Sequence, residues 1–276
     1  MTGRFLVGVS GWSYPRWRGD FYPRGLPQRR ELEYAAGRMT SVELNGSFYS
    51  LQRPSSYRSW AAQTPDGFVL AVKGSRFITH LKRLVDVEQP LANFLASGVL
   101  ALGPKLGPLL WQLPERLAYD PDVVDRFLAL LPRSTAEAAR LAGRHDDRVR
   151  SDRVHTETDA DRPLRHALEF RSPSFDVSRF YEQLAAADVA CVVADTAGRW
   201  PQVDRDTEGF RYVRLHGATE LYTSGYDDAA LDRWAERIGA WADAGQDVHC
   251  YFDNDAAGHA PHDAVRLLTR LRARAG

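Results

Sequence analysis

"RYVRLHG", residues 211–217, sets Val213 and Leu215 on one parity and Tyr212, Arg214 and His216 on the other. Successive side chains of a strand face opposite ways. One face is therefore apolar, while the other carries a guanidinium and an imidazole. The same split recurs at "SVELN" (41–45), where Val42 and Leu44 oppose Ser41, Glu43 and Asn45. It recurs again at "ALEFR" (167–171), where Leu168 and Phe170 oppose Ala167, Glu169 and Arg171. Further short apolar runs stand at 5–10, 68–73, 109–113, 189–194 and 248–253. Helical periodicity fills most of the gaps, at 54–62, 91–102, 121–131, 176–187, 228–244 and 261–274. Eight strands alternating with helices in 276 residues point to an α/β fold, an irregular (β/α)8 TIM barrel forming a single domain. The runner-up is an open doubly wound sheet, but no glycine-rich nucleotide loop follows the first strand.

Two stretches interrupt the pattern. No helix of normal length is legible in "DTAGRWPQVDRDTEG" (195–209), so the barrel is expected to be irregular there. Residues 144–165 carry charge of both signs and little apolar content, which reads as a polar surface excursion.

Composition sets the outer bounds. Hydrophobic content of 44% and charged content of 26% are those of a soluble globular chain. Formal charge is +0, so no overall field favours nucleic acid or membrane. Cys191 and Cys250 lie inside apolar runs and read as buried thiols of a reducing compartment. No window is long enough to span a membrane, and the first apolar run reads as a strand, not a signal peptide. A cytoplasmic location is expected.

If the apolar parity packs on helices, the polar parity points inward. Unpaired charge in a barrel interior costs several kcal/mol, and a purely structural barrel fills those positions with branched aliphatics. Glu43, Glu169 and His216 are the candidate catalytic groups, two carboxylates and one imidazole able to move protons near neutrality. Lys73, Arg171 and Arg214 could clamp an anion, and Gln112, Asp195, Asp253 and Asn254 also fall at carboxyl ends of strands. "YFDNDAAGHAP" (251–261) fails as a calcium loop, with Ala257 and Ala264 at ligand positions, and reads as part of the same rim.

"GVSGWSYPRWRGDFYP", "VELNGSFYS", "LGPKLGPLLWQLP", "ALEFR", "YVRLHG" and "YFDNDAAGHAP" occur in an order and spacing that resemble the YecE-like family, domain of unknown function 72. The resemblance runs from the first strand to the last helix. It implies an irregular (β/α)8 barrel and supplies no reaction. On matching motifs it implicates Trp12, Tyr14, Glu43, Asn45, Phe48, Tyr49, Gln112, Glu169, Arg171, Arg214, His216, Asn254 and His259. This chain departs from the family pattern at Phe175, Ala218 and Asp253, where tryptophan, arginine and asparagine are usual.

The expected activity is acid–base chemistry of hydrolase type on a small polar or anionic ligand, with Trp12, Tyr14 and Tyr49 as stacking surface. A phosphodiester hydrolase similar to endonuclease IV, acting on nucleic acid, is one alternative, and a metabolite-binding module without catalysis is another. No cofactor is expected. A divalent metal is the weaker alternative, since Arg214 stands only two residues before His216.

Overall fold

The computed structural model describes residues 2–207 and 209–275. Its strands are β1 (Phe5–Ser10), β2 (Ser41–Leu44), β3 (Val69–Lys73), β4 (Leu106–Gln112), β5 (His166–Glu169), β6 (Val189–Cys191), β7 (Val193–Asp195), β8 (Phe210–Leu215) and β9 (Asp247–Phe252). Its helices are α1 (Glu31–Ala36), α2 (Gly46–Tyr49), α3 (Pro54–Ala62), α4 (Glu88–Ala96), α5 (Pro121–Leu130), α6 (Thr135–Ala142), α7 (Ser178–Ala186), α8 (Asp228–Asp243) and α9 (Ala260–Ala275). The fold is α/β, of the irregular (β/α)8-barrel class. By contact density the chain divides into two compact units, residues 1–43, 63–68 and 190–276 in the first and 44–62 and 69–189 in the second.

In the first unit the strand order is β2-β1-β9-β8-β7, each neighbour parallel. Val7, Val9, Val42, Val213, Leu215, Val248 and Phe252 are closed to solvent. Helices α8 and α9 bury Leu231, Ile238, Leu267 and Leu268, apolar residues at helical spacing. Asp227 caps α8 by accepting from the Ala230 N–H at 2.7 Å.

The sequence predicts one strand over 189–194, and here it is two. The Cys191 N–H donates at 2.8 Å to Thr207 Oγ1, a side chain of the 195–209 segment. Pairing with β8 begins only at Val193. No helix forms among the described residues of that segment, as the sequence suggested.

In the second unit β3, β4 and β5 pair in parallel, in that order. The predicted helix over 91–102 instead starts at Glu88 and ends at Ala96, because Gly98 at φ +115° turns the chain into a 3-10 segment. A Cβ on Gly98 would sit 2.6 Å from Pro54 Cα, so the turn also depends on close backbone approach. Helix α7 begins at Ser178, two residues after the expected start. Helix α6 has no counterpart in the apolar periodicity. Its signal is the Ser134-x-x-Glu137 capping box, in which Ser134 Oγ accepts from the Glu137 N–H at 3.3 Å.

The 144–165 stretch is more firmly held than a solvated excursion. Asn93 Nδ2 donates to Asp146 at 2.9 Å, Thr135 Oγ1 donates to the Ala160 carbonyl at 2.7 Å, and Val149 and Leu164 are buried. Its polar side chains supply the hydrogen bonds that its missing apolar ones cannot.

Candidate functional site

The first unit carries a closed network around Arg214. Glu43, Tyr212 and Arg214, all from inward parities, meet with Ser10 at the end of β1, and all four are buried. Glu43 Oε1 accepts from Ser10 Oγ at 2.5 Å and Arg214 Nη2 at 2.9 Å. Its Oε2 accepts from Tyr212 Oη at 2.7 Å and Arg214 Nε at 3.1 Å. Four donors on one carboxylate make the desolvated pair tenable. The Tyr212 phenol is pushed up, by burial first and then by Glu43, and stays a neutral donor.

Arg214 reaches outward as well. Nη2 donates to Asp253 Oδ2 at 2.9 Å, and Nη1 lies 3.4 Å from His216 Nε2. His216 Nδ1 stands 3.1 Å from the same Asp253 oxygen. A guanidinium can only donate, so Nε2 is the acceptor and the imidazole proton belongs on Nδ1, facing Asp253. Trp200 and Tyr222 pack edge-on against the His216 ring.

Asp255 completes the group, and its residue type alone gave no signal beyond the Asp-Asn-Asp triplet. Its carboxyl is held well above the usual range, by burial first and by the Asp253 carboxylate second, with Arg214 a smaller opposing influence. A side-chain hydrogen bond with Tyr14, whose hydroxyl lies 2.6 Å from the Ser10 carbonyl, works against that shift without overcoming it. Gly11, at φ +80°, lets Tyr14 fold back, since a Cβ there would lie 2.8 Å from its hydroxyl.

Asn254 is fully buried. Its Nδ2 donates to Asp263 Oδ2 and to the Ser224 carbonyl, both at 3.0 Å, and Asp263 also accepts from the Tyr226 N–H. Among the described residues Asn254 Oδ1 and Asp255 Oδ1 are buried acceptors with no protein partner. Such atoms ordinarily face water or a ligand. Asp195 stands apart. Its Oδ2 accepts from Tyr226 Oη at 3.2 Å, and burial pushes its carboxyl up. It lines a cavity of about 340 Å³ with Tyr226, Trp234 and Arg233. His259 is exposed, with its ring close against Gly225. Trp12 is half-buried, and its carbonyl accepts from Tyr22 Oη at 2.6 Å.

The second unit brings together different candidates. Glu169 is 1% exposed and accepts from Arg171 Nε at 3.0 Å. Lys73 Nζ lies 4.5 Å over the Phe48 ring, and Ser47 Oγ donates to the Lys73 carbonyl at 2.7 Å. Phe48 meets Tyr49 on one edge and His80 on the other. His80, which the sequence did not single out, sits in a π-turn at Phe77–Leu81 directly after β3. Its imidazole titrates at about 4, lowered by burial first and then by Lys73, Arg171 and Arg76. Gln112 is buried beside Glu169 in strand register, and Asn45 precedes α2, its carbonyl accepting from the Phe48 N–H. A cavity of about 900 Å³ lies along Leu84, Gln89, Arg126 and Arg144, and none of these candidates lines it.

Among the described residues no three His, Cys, Asp or Glu side chains stand together as a metal site, and no helix is long and apolar enough to cross a membrane. Cys191 and Cys250 are buried thiols outside any disulfide.

The chain is 24% identical to the protein YunF of Bacillus subtilis over 96% of its own length and 94% of that protein's. It is 30% identical to YecE of Escherichia coli over 39% of its length and 37% of that protein's. Its fold matches a DUF72 family protein of Thermotoga maritima at a TM-score of 0.75 and 23% identity, covering 98% of this chain and 99% of the other. A DUF72 family protein of Enterococcus faecalis matches at 0.73 and 16% identity, over 97% and 95%. The family model described as "Protein of unknown function DUF72" matches residues 6–276, and the chain belongs to that family.

Proposed function

We propose that the protein is an enzyme using acid–base chemistry of hydrolase type on a small, polar, anionic molecule, at the carboxyl ends of its strands. One observation carries the reading. Asp253 and Asp255 stand close together in sequence in unlike surroundings, Asp253 paired with Arg214 and beside His216, and Asp255 with its carboxyl held well above the usual range by burial and by Asp253. Divergent environments of this kind assign acid and base. Asp255 is the proton donor and Asp253 the base. His216 Nδ1 stands 3.1 Å from Asp253, and Glu43 fixes Arg214 without taking part in proton transfer. Asn254 presents its free Oδ1 to a hydroxyl or amide of the substrate.

Glu169, at the end of β5, fixes Arg171 as an anion contact, and Lys73 is a second one. Buried free thiols accord with a reducing cytoplasm. The test is incubation with a panel of polar phosphates and carboxylates, read by mass spectrometry. Turnover by the wild type that falls by about 10²–10⁴-fold in Asp255→Asn is the expected result. No turnover of any panel member, or equal turnover by the variant, would overturn it.

A further inference from the structure

Asp195, which the acid–base reading leaves unused, ends β7 at a cavity of about 340 Å³ that lies wholly within the first unit. One stripe of α8 walls it, Ala230, Arg233, Trp234 and Arg237, the i, i+3, i+4, i+7 spacing of a single helix face. Tyr226 and Gln202 also line it. Tyr226 and Trp234 are buried, whereas Arg233 and Gln202 are exposed, so the cavity runs from aromatic walls to a polar rim. Asp195 is half-buried there. Its Oδ2 accepts from Tyr226 Oη at 3.2 Å, and that hydroxyl accepts in turn from the Gly217 N–H at 3.2 Å. Burial is the largest influence on the carboxyl and disfavours its charge, while Tyr226, the Ala197 N–H, the Trp234 indole and His216 favour it. What the group lacks is a cation. Among the described residues no lysine or arginine forms an ion pair with Asp195. Arg233 is the reverse case. Arg237, one turn further along α8, is held by Asp204 at 2.6 Å with its guanidinium 5.0 Å over the Trp234 ring. No carboxylate among the described residues pairs with Arg233. The cavity therefore carries one carboxylate without a cation and one guanidinium without an anion, which do not pair with each other.

We propose that this cavity binds a small zwitterion of the amino-acid class, its ammonium on Asp195 and its carboxylate on Arg233, with the apolar stem against Tyr226 and Trp234. The site goes beyond the acid–base reading and does not depend on it. An ammonium brings three donors to a carboxylate that burial leaves short of positive charge. Aromatic walls add to its attraction. A guanidinium takes a carboxylate through two parallel N–H···O bonds, which suits Arg233 to the other end. A simple cation would leave Arg233 unmatched beside it, and a simple anion would face Asp195. Both charges are therefore needed on one molecule.

Calorimetric titration of the full chain at low salt tests this with glycine, β-alanine and γ-aminobutyrate, a series of widening charge separation, against butylammonium and butyrate. At least one of the three zwitterions should bind about tenfold or more tightly than either singly charged control. Asp195→Asn should weaken that zwitterion by about tenfold. Arg233→Ala should weaken it to the level of butylammonium without weakening butylammonium itself. Arg233 is exposed, so this variant is expected to fold, which circular dichroism checks. Binding by none of the three zwitterions, equal binding by either control, or undiminished affinity in folded Arg233→Ala would overturn the site.

Discussion

The Arg214 network and the Lys73–His80 cluster use the same side-chain types under opposite rules. Around Arg214 every charge is desolvated and met. Two carboxylates, a hydroxyl and an imidazole share one guanidinium that is 0% exposed. Around His80 a half-buried imidazole is lowered by burial and by the neighbouring Lys73, Arg171 and Arg76, and Arg76 stays in water. A closed network sets the protonation of its members in advance, which is what acid–base chemistry requires. The same contrast separates their contributions to stability.

The largest effect is expected from breaking the closed network. Arg214→Met leaves Glu43 and Asp253 without their cation and should cost about 3–5 kcal/mol in urea unfolding. A loss below about 1 kcal/mol would mean that the network is not the electrostatic core described here.

The next effect belongs to a histidine in the second unit that serves structure alone. His166 Nδ1 accepts from Trp111 Nε1 at 3.1 Å, and its Nε2–H donates to the Pro132 carbonyl at 2.7 Å. It titrates at about 4, lowered chiefly by burial. The unfolded chain therefore takes up the proton first as pH falls, near 6.5, and stability drops between about 6.5 and about 4. The drop attributable to His166 is roughly 2–3 kcal/mol. Chemical denaturation at several pH values should show it, with a flatter profile in His166→Gln. An unchanged profile would remove His166 as the cause.

Smaller still, Ser134→Ala should cost about 0.5–2 kcal/mol by uncapping α6, read as a shift in the denaturation midpoint. Smallest of all, Arg76→Ala should change stability by less than about 0.5 kcal/mol. A large loss there would make Arg76 part of a closed network after all, and the contrast would fail.

Much of this was legible before any coordinates. Alternation at 41–45 and 211–217 placed Glu43, Tyr212 and Arg214 on inward parities because strand periodicity is rigid. Ser10 and Asp253, at the ends of their strands, follow from the same run boundaries. What the alternation could not convey was partnership. Glu43 reads as a candidate acid in sequence, yet four donors surround it, and its neighbours come from β1 and β8, far away along the chain.

Asp255 was hidden for a different reason. Its proton is held by burial and by Asp253, and neither is visible in a residue type. His80 and Arg76 escaped because His80 lies in a π-turn and Arg76 just before it, and such a turn has no apolar period to announce it. Helix α6 was legible through Ser134 and Glu137 but not through periodicity, since "TAEAARLA" has only small apolar residues around one leucine.

The central claim is that burial and the neighbouring Asp253 carboxylate hold the Asp255 proton well above the ordinary carboxylate range. Carbon-13 labelling of aspartate side chains, with a pH titration followed by NMR and Asp255→Asn used for assignment, reads it directly. Asp255 is expected to stay protonated well above the ordinary carboxylate range, and to titrate lower in Asp253→Asn once the neighbouring charge is removed. An Asp255 resonance that titrates near 4 in the wild type, unaffected by Asp253→Asn, would contradict the assignment of acid and base.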